Sequence, residues 1–443
     1  MNLSFFLWVV LIVPILNKVY DEGKELTAKL NKLDEIPPDL HDVFASILSR
    51  HAEDVSNECA TLIRWVLFSL RPLRSIELYA AIQQTCSFEE SGGTTPAPDT
   101  LARYLLHCSR GLVELTLSES SVVQFIHETV RDFLAGKDVL AGKQSVGSKS
   151  QFTLPEFRAD SCHMIMAEVC LQYLLDLCQR TPLTEEILQE YPMAEYAARY
   201  WWQHMRGSEI WYSKNLLDLA LRLLTVDGGH LLTWVQLHNM DRDWEYSDLL
   251  ITVDDLAPSL YYAASIGIPE IVAGVLRQKP DVSVRGGYYG NALQAASYRG
   301  HEKVVQILVD GGADVNTQGG RYGTALQAAS CGGHEKVVQI LLNGGACVNA
   351  QGGEYGNALQ AASVAGQATV AQMLLYAGAA VNAPGYYGSA LYAASYHGHE
   401  KVVQVLLNAN ADVNSRGGQY GTALYAASAR GYDKVVQMLI EHE

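Results

Sequence analysis

The tripeptide Ala-Ala-Ser recurs six times in the second half of the chain. It stands at Ala263-Ala264-Ser265, Ala295-Ala296-Ser297, Ala328-Ala329-Ser330, Ala361-Ala362-Ser363, Ala393-Ala394-Ser395 and Ala426-Ala427-Ser428, with successive spacings of 32, 33, 33, 32 and 33 residues. A fixed period of this size constrains the fold more than any other feature, because it describes an array of like units and not one globular core. A single unit buries too little apolar surface to fold alone, so neighbours must stack. One unit reads in full. Thr324 offers a hydroxyl cap to a helix running through Ser330, and Ala328 and Ala329 are small enough to let the next unit approach closely. Gly332, Gly333 and His334 interrupt that helix, and Glu335 to Leu342 then sets Val337, Val338, Ile340, Leu341 and Leu342 on one broad helical face. Gly344-Gly345 ends the second helix. Cys347 to Ala350 runs extended into a turn at Gly352-Gly353. Each unit is therefore expected to be helix, turn, helix and hairpin-like finger.

These units resemble the ankyrin repeat. Its pattern is visible in Thr324-Ala325-Leu326-Gln327, Gly333-His334, Val337-Val338, Leu341-Leu342 and Gly345 to Asn349, and most clearly in Gly312-Ala313-Asp314-Val315-Asn316. The resemblance implies an α-solenoid that binds proteins. The chain departs from the family's Thr-Pro-Leu-His at two places. Alanine replaces the proline at Ala292, Ala325, Ala358, Ala390 and Ala423, and Gln294, Gln327, Gln360, Tyr392 or Tyr425 replaces the histidine. Glycine (Gly319, Gly352) also stands where the family has its turn aspartate. The family's inter-repeat hydrogen bonds from that His and Asp are therefore not carried over. A tyrosine occupies every finger instead: Tyr289, Tyr322, Tyr355, Tyr387 and Tyr420. This row is read either as a stacking ladder between fingers or as a row of contacts.

Charge divides the chain. Of 32 Lys/Arg and 48 Asp/Glu, 11 and 12 fall from Ala257 onward, which leaves 21 and 36 before it: a net of −1 against −15. An acidic front half argues against a phosphate-binding surface. The 8 cysteines are scattered without a Cys-x-x-Cys pair, which reads as free thiols in a reducing, intracellular compartment. Leu3 to Leu16 is an apolar run of 14 broken by Ser4 and Pro14. It is short of the roughly 20 residues of a spanning helix and lacks a signal peptide's basic start and cleavage site. A buried helix is the reading adopted for it, with a membrane anchor as the alternative.

In chain order, Pro37-Pro38-Asp39 is a break, and helices are expected at Leu40 to Arg50, Ser56 to Leu70, Ile76 to Gln84 and Leu101 to Ser109. Gly111 to Leu117 and Val122 to Ile126 alternate like the strands of a hairpin. Trp65-Val66-Leu67-Phe68, Arg71-Pro72-Leu73 and Phe125 to Leu134 resemble the winged-helix module (GPI inositol-deacylase type) that follows the nucleotide-binding domain in fungal NACHT–ankyrin proteins. The whole chain is similar to the C-terminal portion of such a STAND-type protein without its P-loop domain. The resulting fold class is mostly α: a winged helix with a small β-hairpin, a helical connector and an ankyrin-repeat α-solenoid. The domain boundaries expected are 1–35 for an apolar helix beside the NACHT region, 36–140 for the winged helix, 151–256 for the connector and 257–443 for about six repeats, the last incomplete.

No motif for chemistry is complete. Gly142 to Ser150 has P-loop glycine spacing, but Ser148 stands where lysine must reach the phosphates. His127-Glu128 is followed by Arg131 where a second zinc-binding histidine belongs, and His301-Glu302, His334-Glu335 and His399-Glu400 also lack it; these histidines are read as capping residues. No enzyme activity, cofactor or metal is expected. A scaffold is the first reading, with an unidentified protein partner docked on the concave face and fingers. The candidate contacts are the variable residues before each unit's glycine, Tyr298, Arg299, Tyr396, His397 and Arg430, together with the five finger tyrosines. The second reading is a fragment of a NACHT-type signalling NTPase, suggested by the unpartnered apolar start and by an array that stops on a second helix. The third is DNA binding through Arg103, His107 and Arg110, against which the acidic domain argues. Neither nucleic acid nor membrane is an expected partner.

Overall fold

The computed structural model describes residues 57–86, 96–116, 121–134, 158–180, 182–207, 213–226, 229–241, 247–385 and 388–443. The apolar run Leu3 to Leu16, the expected helix Leu40 to Arg50, the P-loop-like Gly142 to Ser150 and Tyr387 lie outside the described residues. The chain forms two compact units, Met1–Leu216 and Leu217–Glu443. This division falls inside residues 151–256, the segment read from sequence as a single connector.

Among the described residues of the front unit come first three helices, α1 (Asn57–Phe68), α2 (Ser75–Cys86) and α3 (Pro98–Cys108), followed by β1 (Val113–Leu115), β2 (Val123–Phe125) and α4 (Glu128–Leu134). The strands pair antiparallel with Glu114 opposite Gln124. The segment before α2 lies alongside them, through an antiparallel bridge of Arg74 with Val122 and a bond from the Val123 N–H to the Leu73 carbonyl. α5 (Ala159–Leu177), α6 (Glu185–Glu190) and α7 (Ala194–Gly207) complete the unit. Its core is aliphatic with large aromatics: Leu62, Trp65, Leu78, Leu105, Tyr196 and Trp201 are fully buried. The aromatic stripe on α7 is thus core at Tyr196 and Trp201, while Tyr200 and Trp202 are half-buried.

Two polar arrangements hold this core. Glu77, at 0% exposure, receives both guanidinium nitrogens of Arg71 (2.9 and 2.7 Å), the Arg74 N–H (2.8 Å) and Arg74 Nη2 (3.0 Å). Burial pushes its carboxyl up, but these donors outweigh burial and hold it below the usual carboxylate range. On the other side, Tyr196 Oη accepts the Leu70 N–H (3.1 Å) and lies 2.9 Å from His204 Nε2, and His204 Nδ1 lies 2.8 Å from His163 Nδ1. The tautomer of His204 sets the direction of this chain: either Tyr196 donates to Nε2 and Nδ1 donates to His163, or both bonds run the other way. Trp65 packs edge-on against both Tyr196 and His204.

In the second unit, α8 (Lys214–Leu223) carries the division point and α9 (His230–Leu237) precedes six helix pairs. The pairs are Ser259–Ile266 with Pro269–Leu276, Ala292–Arg299 with Glu302–Asp310, Ala325–Gly332 with Glu335–Asn343, Ala358–Ala365 with Ala368–Tyr376, Ala390–His397 with Glu400–Asn408, and Ala423–Arg430 with Asp433–Ile440. First helices stack on first helices and second on second, which makes the α-solenoid. The repeated alanines are why they can. Ala295, Ala296, Ala328, Ala329, Ala361, Ala362, Ala393 and Ala394 are all buried in the stack. Asn291, Thr324, Asn357, Ser389 and Thr422 cap the first helices by accepting the backbone N–H three residues on. A glycine with φ near +75°, such as Gly300 or Gly333, ends each of these helices.

Candidate protein-interaction face

Four of the fingers close on themselves at their glycines. Gly286, Gly319, Gly352 and Gly417 donate their N–H to the carbonyls of Gly290, Gly323, Gly356 and Gly421, each at 2.8 Å. Glycine is required at Gly353 (φ 64°), where a Cβ would sit 2.3 Å from the Tyr322 carbonyl carbon. Neighbouring fingers are joined in register at their tips, where the Arg321 N–H donates to the Tyr288 carbonyl and the Glu354 N–H to the Arg321 carbonyl.

The join between units is made by the residue that replaces the family's histidine. Gln327 is 1% exposed. Its Oε1 accepts the Thr324 N–H (2.6 Å), closing a capping box. Its Nε2 donates to the carbonyls of Ala350, Gly352 and Gly356 in the next finger, at 3.3, 3.0 and 2.8 Å. Gln294 and Gln360 grip the following fingers in the same way. Where tyrosine replaces glutamine the polarity reverses: Tyr261 and Tyr392 hydroxyls accept the N–H of Tyr289 and Tyr420. The departure from Thr-Pro-Leu-His therefore supplies inter-repeat hydrogen bonds of its own kind. Asparagines add a second series, with Asn316 bonded to the Gly345 carbonyl and the Cys347 N–H, and Asn349 to the equivalent groups of Gly378 and Ala380.

The histidines read as caps act differently. His301, His334 and His399 occupy N-cap positions but make no side-chain cap bond. Their rings instead reach back to the carbonyls of Ser265, Tyr298 and Val364 in the preceding unit, at 3.1, 2.8 and 3.0 Å. The sequence motif hides this, because a histidine before glutamate at a helix start looks local. His127 does act locally, accepting the Thr129 N–H.

The finger tyrosines interleave with the helix-end residues. Tyr289 and Tyr322 lie parallel with centroids 6.0 Å apart, Tyr298 packs against both at 4.8 and 4.7 Å, and Tyr355 continues the row 5.8 Å from Tyr322. Tyr289 and Tyr322 are 7% and 5% exposed; Tyr298, Tyr355, Tyr396 and Tyr420 are half-buried. A second stack joins Tyr392, Tyr396 and Tyr420. Cys331 and Val364 stand at the helix-end position between the two stacks. Burial pushes the Tyr289 phenol up to about 12 against the opposing influence of Arg299, and burial followed by a bond to Tyr298 raises Tyr322. Both are therefore neutral at physiological pH.

The other candidate contacts distribute unevenly. Arg299 is half-buried, lies 5.8 Å above Tyr289 and donates to the Met240 carbonyl (2.7 Å). Arg430 is exposed, with its guanidinium 4.6 Å above Tyr396. His397 is half-buried against Tyr396 and His399, and burial, then the charges of His399 and Arg430, hold its imidazole below the usual range. A further set went unnoticed: the residue before the finger tyrosine, Tyr288, Arg321, Glu354 and Gln419 in the four fingers whose tips are described, sits at the tip. Arg321 Nε donates to Glu354 (2.5 Å), and its guanidinium also meets the Tyr288 hydroxyl. The signal was available, since these positions vary inside the constant frame Gly-x-Tyr-Gly.

Among the described residues there is no group of three His, Cys, Asp or Glu able to hold a metal, and no helix long and apolar enough to cross a membrane. None of the eight cysteines forms a disulfide among the described residues. The stacked helix pairs and joined fingers define the class of this region, and the family described as "Ankyrin repeats (3 copies)" matches residues 295–385 and 359–443. The C-terminal part of the chain is an array of ankyrin repeats. Over 325 residues the chain is 32% identical to a Monascus ruber protein named "Azaphilone pigments biosynthesis cluster protein L", covering 68% of this chain and 66% of that one. The chain thus spans just under two thirds of that relative's length.

Proposed function

We propose that this chain is a non-enzymatic scaffold that docks a protein partner on the finger side of its ankyrin array. The observation that carries this reading is the contrast within each finger. The Gly-x-Tyr-Gly frame recurs in every finger, while the tip residue changes from Tyr288 to Arg321 to Glu354 at tips joined in register, and is Gln419 in the last finger. A constant frame with changing tips suits recognition, in which a few residues carry most of the affinity. Helix-end Tyr298, Arg299, Tyr396, His397 and Arg430 extend the face; Tyr289 and Tyr322 act within it as the stacked base. The front unit serves as a platform. Its order of three helices, hairpin and helix supports a winged-helix reading, and its acidity sets it against DNA. Eight cysteines without a disulfide among the described residues support an intracellular compartment. Neither the matched family nor the relative's name lends support to the NTPase reading.

The test is site-specific photo-crosslinking in the full-length chain. A photoreactive residue at Gln419 or Arg321 is expected to trap one discrete protein, and the same residue at Lys336 or Lys401 on second helices to trap none. Equal labelling from both faces, tight nucleotide binding, or retention on duplex DNA that falls steeply with salt would defeat the proposal.

A further inference from the structure

Arg64, on α1, is a buried cation that the front unit leaves uncompensated. It is 8% exposed, and its Nε has no hydrogen-bond partner. No carboxylate pairs with its guanidinium among the described residues. The acids of the neighbouring turns are engaged elsewhere. Glu58, the acid of α1, accepts the Tyr104 hydroxyl (2.8 Å), and Glu77, the acid of α2, holds Arg71 and Arg74. A charge taken out of water without a partner is costly, and a bound counter-ion is one way to offset that cost.

The guanidinium is aimed at the start of α5. It bonds to the side chain of Cys162, the fourth residue of that 19-residue helix. Helical side chains lean toward the N-terminus, so this thiol stands level with the first turn. There the N–H groups of Ala159, Asp160 and Ser161 have no acceptor among the described residues, and Arg158 at the N-cap makes no side-chain cap bond. Thr61, one turn before Arg64, lies 3.9 Å from the Cys86 thiol. Burial raises the thiols of Cys162 and Cys86, and the charge of Arg64 reaches both. A helix start and a guanidinium facing it together make an anion site. Charge selects the anion. One guanidinium balances one negative charge, and Asp160 in the first turn opposes a second. A carboxylate carries a single charge and meets a guanidinium through two parallel bonds, whereas a phosphate ester carries nearly two at neutral pH. The recessed position of Arg64 favours a small molecule over a side chain borne on a folded surface. We propose that Arg64 and the first turn of α5 bind the carboxylate of a small organic acid, at a site within the front unit that does not depend on the docking reading above.

The experiment is scanning calorimetry on the full chain titrated with sodium acetate, with inorganic phosphate and sodium chloride at matched ionic strength as the other arms. Acetate is expected to raise the front unit's transition saturably, by about 3 °C at roughly ten times its dissociation constant. Phosphate is expected to give a smaller shift and chloride no saturable one. Arg64→Met should abolish the acetate response while leaving the acetate-free transition in place or higher, because it removes an unpaired buried charge. Arg64→Lys should weaken acetate about tenfold, since an ammonium cannot make the two-pronged contact. A phosphate shift equal to that of acetate, or an acetate shift that survives Arg64→Met, overturns the inference. Should Arg64→Met fail to fold, the unmodified chain and Arg64→Lys decide: no saturable acetate shift in the former, or an unweakened one in the latter, overturns it equally. Crosslinking from Gln419 reports on the array alone, so the two proposals stand or fall apart.

Discussion

The front unit and the ankyrin array bury polar groups by opposite strategies. In the front unit every solution is used once. Glu77 is ringed by Arg71 and Arg74, and Tyr196, His204 and His163 form a single relay against Trp65. In the array one solution is copied, with Gln294, Gln327 and Gln360 gripping successive fingers and His301, His334 and His399 reaching back to successive carbonyls. A unique core concentrates its stability in a few residues, and removing one leaves a buried group unmet. A copied joint distributes it, because each unit meets only its neighbours.

The largest break in this comparison should come from Trp65→Ala. Trp65 is fully buried against Tyr196 and His204, and truncation is expected to cost the front unit about 3–5 kcal/mol. Calorimetry should show one early transition shift downward while the array's transition stays in place; a joint shift would show that the two unfold together. Acid should come next. Burial and the neighbouring His163 depress the His204 imidazole to about 3, against about 6.5 when unfolded. A lowered pKa means the unfolded chain takes up more protons. The contribution is therefore complete above pH 6.5 and is lost as pH falls toward 3, with about 3 kcal/mol gone by pH 4.5. His204→Phe should flatten that dependence, as urea melts at several pH values would report, and the array, whose depressed His397 is only half-buried, should change less. The smallest effect is expected from Gln327→Ala, about 1–3 kcal/mol from one capping bond and a released finger. Hydrogen exchange should rise at Gly352 to Gly356 and in the two flanking units only. Exchange that rises along the whole array would mean that the joints do not act pairwise.

The same contrast governs what the amino-acid sequence disclosed. The array was legible because the Ala-Ala-Ser period, repeated six times, and the capping residues and paired glycines of most units are local signals, and the helix pairs and hairpin fingers follow from them. The order of helices and hairpin in the front unit was legible from periodicity as well. The grip of Gln327 was not, because glutamine in place of histidine reads as a loss when the accepting carbonyls lie in the next unit, 23 to 29 residues on. His334 was misjudged for the same reason, its acceptor lying 36 residues back. The relay from Leu70 through Tyr196 and His204 to His163 joins positions up to 126 residues apart and has no spacing to betray it. At the face itself, the finger tyrosines were visible as a row, but whether a ring is base or contact depends on burial, which separates Tyr322 from its neighbour Arg321.

The clamp at Gln327 also has a direction. Its amide faces its own helix start on one side and the following finger on the other, so any unit ending in the Gly-Gly turn presents the same socket to whatever unit precedes it. Whole modules can then be duplicated or excised by recombination at the period of the array without redesigning either flank. Such a change alters how many tips are offered while leaving the joint as it is, so the length of target that the molecule measures is free to drift from one descendant to the next.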